Sequence, residues 1–424
     1  MEKEGVVISV FGSAGGVAKS LLALLNKSIT DPKDPLHSLI QQSELHLVDL
    51  KQKDMEYYKQ KCPELAELIK LHQFDLNDLK KVRKHLMSTN TTLVVDLSWA
   101  DTVNVLEICN SLGISYTNSA LEIVEVDNDE ELEGFTLIER YERFSKVKDK
   151  FTNTKSIVCS GMNPGVVQWM AHTLMTDYPD EKPLGCFIVE NDTTFFKDES
   201  NIRKKTVYST WSPECFLDEA ILNYPMYVKQ HVPIFLYEDV YRKEFKVTLG
   251  DIEFYGCLMP HEEVLSLSTL YDMELGFIYK VNDYTTQLIR TKLAQNKVDN
   301  LWDWDFKVLD PAEAELVGED LVGVLLVYED KERFMYNVMD SKSTHQKYGT
   351  NATYIQVASG IYAAICTILL ETIPNGVHYV EELLSTVKDI GYGKYVTQYM
   401  TDFVTGENEK SDGLILDRMK DVSL

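Results

Sequence analysis

The first residues able to do chemistry stand near the amino end. Val6 to Phe11 is a β-branched run that ends at Gly12-Ser13-Ala14-Gly15-Gly16 and passes into the helical spacing Val17, Leu21, Leu22, Leu25. A strand, a glycine turn and a helix in that order present backbone amides and a helix N-terminus to a phosphate. The glycines let the turn close tightly and let the main chain approach a pyrophosphate. Val10 takes the place of the first glycine of G-x-G-x-x-G, and Gly12, Gly15 and Ala18 give a shifted G-x-x-G-x-x-A form. The rival is a P-loop, because Ala18-Lys19-Ser20 resembles the end of G-x-x-x-x-G-K-S; Ser13 and Ala18 stand where that loop needs glycine, which disfavours it. Asp49 closes the second strand, where a carboxylate accepts hydrogen bonds from an adenosine ribose and repels a 2′-phosphate, so the expected cofactor is NAD rather than NADP. The insert Asp31-Pro32-Lys33-Asp34-Pro35 absorbs the long spacing from Gly12 as a loop. Asp75 is read equally as an adenine contact or as a helix N-cap. Leu97 and Ser98 end the fourth strand and are expected on the nicotinamide side of the crevice.

A second stretch, Thr210-Trp211-Ser212-Pro213-Glu214 followed by Glu219, has the makings of a cation site. Ser212 with Pro213 marks a helix start, which puts Trp211 just ahead of the helix and Glu219 about two turns into it, with both expected to face one pocket. An indole face attracts an ammonium by about 0.5–2 kcal/mol, and a carboxylate adds a charge-assisted hydrogen bond. The competing reading is a hydrophobic staple beside a surface glutamate.

These residues need a scaffold, and the element order supplies one. Leu45 to Val48 and a run ending at Phe74 read as the second and third strands, with a helix from Leu79 to Leu86 after them. Thr91 to Leu97 is a fourth strand, Val103 to Leu112 a helix, and Ser115 begins a fifth strand. Such alternation predicts a doubly wound parallel sheet of the Rossmann type, in an α/β chain. A further strand near Lys155 to Ser160 leads to Met162-Asn163-Pro164-Gly165 and a helix. Beyond Leu184 the runs Gly185 to Val189, Phe245 to Leu249 and Ile252 to Leu258 predict a second, α+β domain containing an antiparallel sheet, and Leu321 to Tyr328 with Arg333 to Val338 a hairpin. Asn282 to Asp303 reads as polar and helical in part, and the acidic cluster Glu125 to Glu133 as a solvated loop. The expected organisation is 1–163 for the dinucleotide domain, 164–344 for a catalytic domain, and 345–424 for C-terminal helices that pack back on the first domain.

Composition narrows the classes. The chain has 424 residues, and its 42 Lys and Arg against 67 Asp and Glu give a formal charge of -25, which argues against nucleic acid or an anionic membrane surface and suits a cationic partner. Seven scattered cysteines without a CxxC pair fit reduced thiols and a cytoplasmic protein, with no zinc ribbon, redox motif or other metal site expected. The amino end lacks a signal-peptide pattern. Ala352 to Leu370 is uncharged and long enough to span a bilayer, but Thr353, Gln356, Ser359, Gly360 and Thr367 favour a buried core helix.

The chain resembles the bacterial homospermidine synthases, members of the saccharopine-dehydrogenase-like reductases. The matching stretches are Leu93 to Ser98, Tyr116 to Glu122, Met162 to Gly165, Ser209 to Ser212 with Glu219, Pro260-His261-Glu262-Glu263, Asp320 to Leu326, and Asn351 to Val357. The resemblance implies an NAD-dependent enzyme of polyamine metabolism that oxidises an amine to an imine, exchanges amines and reduces the product. It also implies a Rossmann domain with an inserted catalytic domain, and a homodimer. By position, Trp211 corresponds to a cation-π tryptophan, Glu219 to an amine-binding carboxylate, and His261 and Glu263 to the His and Glu of an R-H-G-E-like segment. Asp320 corresponds to an acidic residue before a G-V-L-L strand, Glu122 to a glutamate after the fifth strand, and Asn163 to the asparagine of N-P-G. Leu321 stands at a glutamate position, Asn337-Val338-Met339 replaces G-S-Q, and a G-W-G-T-H-E block is absent, with Asn223-Tyr224-Pro225-Met226 nearby instead. The expected substrate is therefore an amine or polyamine bound in an altered pocket, with His261 as an acid/base titrating near neutrality. Two alternatives stay open: a simple saccharopine-type imine reductase, and a non-catalytic nucleotide sensor whose pocket is filled by Leu321 or Tyr224.

Overall fold

The computed structural model describes residues 5–295 and 304–422. The chain divides into two units, one of Met1–Glu130, Glu139–Trp169 and Tyr354–Thr401, the other of Glu131–Ile138, Met170–Thr353 and Asp402–Leu424. The segment 345–424 is thus shared between the units, and 164–169 goes with the first. Residues 296–303 of the polar stretch Asn282 to Asp303 lie outside the described residues; within the rest, Asp283–Ala294 is a helix.

The first unit is built on seven parallel strands. They are β1 (Val7–Phe11), β2 (Glu44–Asp49), β3 (Ile69–Gln73), β4 (Leu93–Asp96), β5 (Ser115–Asn118), β6 (Lys155–Ile157) and a last strand, Gly376–His378. Their order across the sheet is last strand, β6, β5, β4, β1, β2, β3. Ile8 to Phe11, Leu45 to Val48 and Leu93 to Val95 are buried at successive positions, as a sheet covered by helices on both faces requires. The order reverses between β1 and β4, which opens a crevice at the carboxyl ends of these strands. The helix α1 (Gly16–Ser28) carries the chain from β1 toward β2. The helix Ala352–Leu370 is long and apolar enough to cross a membrane by composition, yet 78% of its apolar window is buried inside the protein. Gly360 permits that burial: a Cβ there would stand 1.9 Å from the Gly161 carbonyl oxygen. The acidic stretch read as a loop holds helical turns at Val124–Asp127 and Glu130–Leu132, and Arg140 pairs with Asp127 at 2.7 Å.

The second unit carries a ten-stranded sheet. It is mixed rather than antiparallel, because Gly185–Asp192 and Glu274–Lys280 run parallel. A parallel pair needs a long crossover, and the chain from 193 to 273 provides one. The hairpin of Glu319–Val327 with Glu332–Asp340 is antiparallel, with Gly323 opposite Tyr336. Two late strands complete the sheet, Val404–Asn408 on Glu332–Asp340 and Met419–Asp421 on Lys243–Leu249. Side-chain alternation then sorts the residues. Phe187, Val189, Ile278, Leu321, Leu325 and Phe334 build an apolar core on one face. Glu190, Asp192, Phe277, Tyr279 and Asp320, at alternate positions, belong to the other.

Candidate functional site

In the first unit the glycine turn is shaped by its neighbours. Gly12 sits at φ +69°, and a Cβ on it would lie 2.3 Å from the Leu97 carbonyl oxygen and 2.9 Å from Ser98 Cα. Leu97 and Ser98 are therefore part of the cradle, pressed against the turn by the β1–β4 pairing, where Leu97 N donates to Phe11 O at 3.0 Å. Ser13 N donates to Val48 O at 3.2 Å and Ala14 N to Asp49 Oδ2 at 3.0 Å, so Asp49 is brought to the turn itself. Its other oxygen accepts from Lys51 N at 2.8 Å. Gly15 is the N-cap of α1 and has no side chain of its own to cap the first turn, and a Cβ on Gly16 would lie 2.2 Å from the Tyr354 ring. Gly16 begins that helix. A turn position with no room for a Cβ, an uncapped helix start at a switch point and a carboxylate at the end of β2 fit a dinucleotide.

Other expected residues fall differently. Asp75 is not the N-cap of the helix Leu79–Ser88; Asp78 is, accepting from Lys81 N at 3.2 Å, while Asp75 accepts from Asn77 N within a turn. The helix begins at Leu79, where the sequence reading placed it, and the residue directly before it is Asp78 rather than Asp75. Ser98 donates its hydroxyl to Asp96 Oδ1 at 2.6 Å, and burial, ahead of these bonds, raises the Asp96 carboxyl to about 6. Asn163 lies in the turn between Gly161 and Gly165 of the first unit. Glu122 also belongs to the first unit, its backbone N donating to Thr102 Oγ1 at 3.0 Å.

The second unit gathers most of the remaining candidates. Ser212 caps the helix Pro213–Leu217, its Oγ accepting from Cys215 N at 3.3 Å, with Trp211 just before it. The helix gives way to a π-turn at Asp218–Leu222, which re-aims Glu219. Glu219 Oε2 ends 3.6 Å from His261 Nε2. His261 is the N-cap of the helix Glu262–Leu270, and its Nδ1 is hydrogen-bonded to Glu263. Glu262 Oε2 stands 3.9 Å from the same nitrogen. All four are buried.

Trp211 does not share that contact. Its indole N–H donates to the Tyr279 hydroxyl at 3.3 Å, and a row of rings runs from Trp211 and Phe216 through Tyr279 and Phe277 to His261. Trp211 and the Glu219–His261–Glu263 cluster are thus the two ends of one aromatic row. Asp320 lies apart from His261, opposite Asp192 in register, with Glu190 two residues along. Thr353 donates to Asp320 Oδ2 at 2.5 Å and Thr210 to Asp192 Oδ2 at 2.6 Å, with the two threonine hydroxyls 2.9 Å apart.

Electrostatics reassigns the roles. Burial pulls the His261 pKa down, but the carboxylates of Glu263, Glu219 and Glu262 outweigh it and hold the imidazolium up to about 10. His261 is therefore a standing cation at neutral pH, not the near-neutral titrant expected from its type. Burial raises Glu219 to about 8 against the pull of His261, so the carboxyl beside the imidazolium titrates nearer neutrality. Asp192 and Asp320 are both pushed up, first by burial, and Asp320 also by the charges of Glu190 and Asp192.

Glu190, Asp192 and Tyr279 were missed in the sequence, while Thr210 and Thr353 lay in stretches it singled out but were given no role at the site. A signal existed: Glu190-Asn191-Asp192 puts two carboxylates on one face of an otherwise apolar strand. Leu321 lies in the apolar core on the face away from Asp320, and Tyr224 packs on Gly134, Phe135 and Tyr237.

No family model matches the chain, and no curated protein matches it. Among solved structures it is similar to saccharopine dehydrogenase (L-Glu forming) from Saccharomyces cerevisiae, with a TM-score of 0.56 and 12% identity over 95% of this chain and 100% of that one. It is also similar to UDP-glucose 4-epimerase from Bifidobacterium longum in complex with NAD+ and UDP, with a TM-score of 0.26 and 12% identity over 36% of this chain and 52% of that one. Similarity to the dTDP-glucose 4,6-dehydratase from Bacillus anthracis in complex with NAD has a TM-score of 0.25 and 12% identity, over 44% and 67% of the two chains. The likeness to saccharopine dehydrogenase shows a shared fold along nearly the whole chain.

Proposed function

We propose that this chain is an NAD-dependent oxidoreductase of amines, acting on a cationic amine or polyamine in the manner the homospermidine synthases suggest. The observation that carries the reading is the buried row of the second unit, with a tryptophan at one end, a carboxylate–imidazolium–carboxylate cluster at the other, and Glu190, Asp192 and Asp320 on a sheet face of the same unit. Carboxylates held partly neutral by burial regain their charge when an ammonium enters, and the indole adds cation-π attraction.

NAD, when bound at the glycine turn, supplies a hydride acceptor. Gly12, Ser13, Ala14, Gly15 and Gly16 would hold its pyrophosphate, and Asp49 its adenosine ribose. The chain's own groups handle protons and charge. Glu219 takes a proton from the substrate ammonium, since an amine must be neutral before its α-carbon gives up a hydride. His261, kept cationic by Glu263, stabilises the Glu219 carboxylate that accepts this proton, and donates a proton of its own to a departing amine. Amine exchange at the imine and its reduction then close a cycle without net cofactor consumption. The protein acts in the cytoplasm, as a homodimer.

Parallel titrations of NAD and NADP, followed by an amine screen read by release of the departing amine and formation of the joined product, test this. NAD should bind more tightly, Asp49→Ala should weaken it, and a polyamine should turn over. Tighter NADP binding would remove Asp49 from its role; cofactor binding with no amine reacting would leave the nucleotide sensor as the better reading.

A further inference from the structure

The covered face of the first sheet is polar where an aliphatic core is the rule. Ser9 on β1 lies opposite His46 on β2. His46 is opposite Lys70 on β3, so His72, two residues on, shares its face. His85 on the helix Leu79–Ser88 reaches the same place, with ring centroids 4.5 Å from His72 and 5.7 Å from His46. His46 and His85 are only 3% and 6% exposed. One ligating atom from each of the three rings lies within 4.8 Å of the others.

We infer that His46, His72 and His85 form a site for a divalent transition ion of the Zn2+ class. His46 Nδ1 and His72 Nε2 are 2.9 Å apart. Two imidazole nitrogens on one Zn2+, each about 2.0–2.1 Å from it, stand about 3.3 Å apart, so an ion replaces the proton these rings share with little movement. The rings are also oriented as ligands are. Ser9 Oγ is 3.0 Å from His85 Nε2 and is itself bonded to Thr91 Oγ1 at 2.8 Å. His46 Nε2 is buried and faces the Glu44 carboxylate at 3.4 Å. A carboxylate or hydroxyl on one ring nitrogen sets the tautomer and leaves the second nitrogen for a metal. The ligands join β2, β3 and the following helix, so the ion is a staple at the edge of the nucleotide-binding sheet.

The test uses the full chain, stripped with a chelator and titrated with Zn2+ against a chromophoric competitor, and separately with Co2+ followed by its visible absorption. The parent should take up one ion per chain, give a ligand-field band with Co2+, and melt at a higher temperature with Zn2+. His72→Ala and His85→Ala should each weaken uptake more than about 10-fold, and Ser9→Ala about 10–100-fold, as loss of an orienting partner does. His72→Gln, at the least buried of the three positions, guards against a misfolded alanine variant. His261→Asn should bind Zn2+ like the parent, because the His261–Glu262–Glu263 cluster is a separate group. Equal uptake by the parent, His72→Ala and His72→Gln, or loss of the ion only in His261→Asn, would overturn the assignment.

Discussion

Replacing Glu263 by glutamine tests the electrostatic reading of His261 most directly. The two side chains are in contact, and both are buried. With charge centres about 4 Å apart and an effective dielectric constant near 20, the attraction is worth about 4 kcal/mol. At about 1.36 kcal/mol for each pKa unit, that is roughly 3 units. The imidazole should therefore fall from about 10 in the parent to roughly 7 in Glu263→Gln. Stability moves with it. A histidine raised from 6.5 stabilises the fold fully below 6.5, and that contribution is lost as pH rises through the folded value. The parent should thus keep this contribution across neutral pH and lose it toward pH 10, whereas the variant loses it near 7. Breaking a buried pair should also destabilise the fold by about 3–5 kcal/mol. A pH titration of the histidine ring protons by NMR, with His261→Asn to assign the resonance among nine histidines, measures the shift. If a competent amine is found, the alkaline limb of kcat/KM should move down with it. A parent His261 titrating between 6 and 7, or a Glu263→Gln protein in which it stays near 10, would refute the reasoning.

Trp211→Ala should weaken an amine ligand by about 0.5–2 kcal/mol and leave NAD affinity alone, with Trp211→Phe recovering part of the loss; calorimetric titration checks both. Gly12→Ala combines a positive φ with a Cβ 2.3 Å from the Leu97 oxygen, so nucleotide affinity should be lost before the fold is, read by NAD titration alongside circular dichroism.

The strand–glycine–helix order, Asp49 after the second strand, and alternating apolar runs were legible in the chain because they depend on local backbone freedom and period. That is why the parallel sheet of the first unit follows from the alternation as far as its sixth strand, and the burial of Ala352–Leu370 from its uncharged composition with polar residues inside it, whereas the edge strand Gly376–His378 was not read. Asp75 was ambiguous because an N-cap and a turn three residues earlier use the same side chain for the same bond. Glu219 was harder. Only a π-turn, which carries no sequence period of its own, carries it to His261. The protonation states were beyond the sequence altogether. A histidine near 6.5 and a glutamate near 4.5 become groups near 10 and 8 because burial and neighbouring carboxylates act through space. The same holds for Asp320 and Asp192, 128 positions apart and opposite one another in register, and for His46, His72 and His85, whose spacing matches no metal motif. Local conformation is encoded in neighbouring residues, while electrostatics and ligand sets belong to residues that only the tertiary fold makes neighbours.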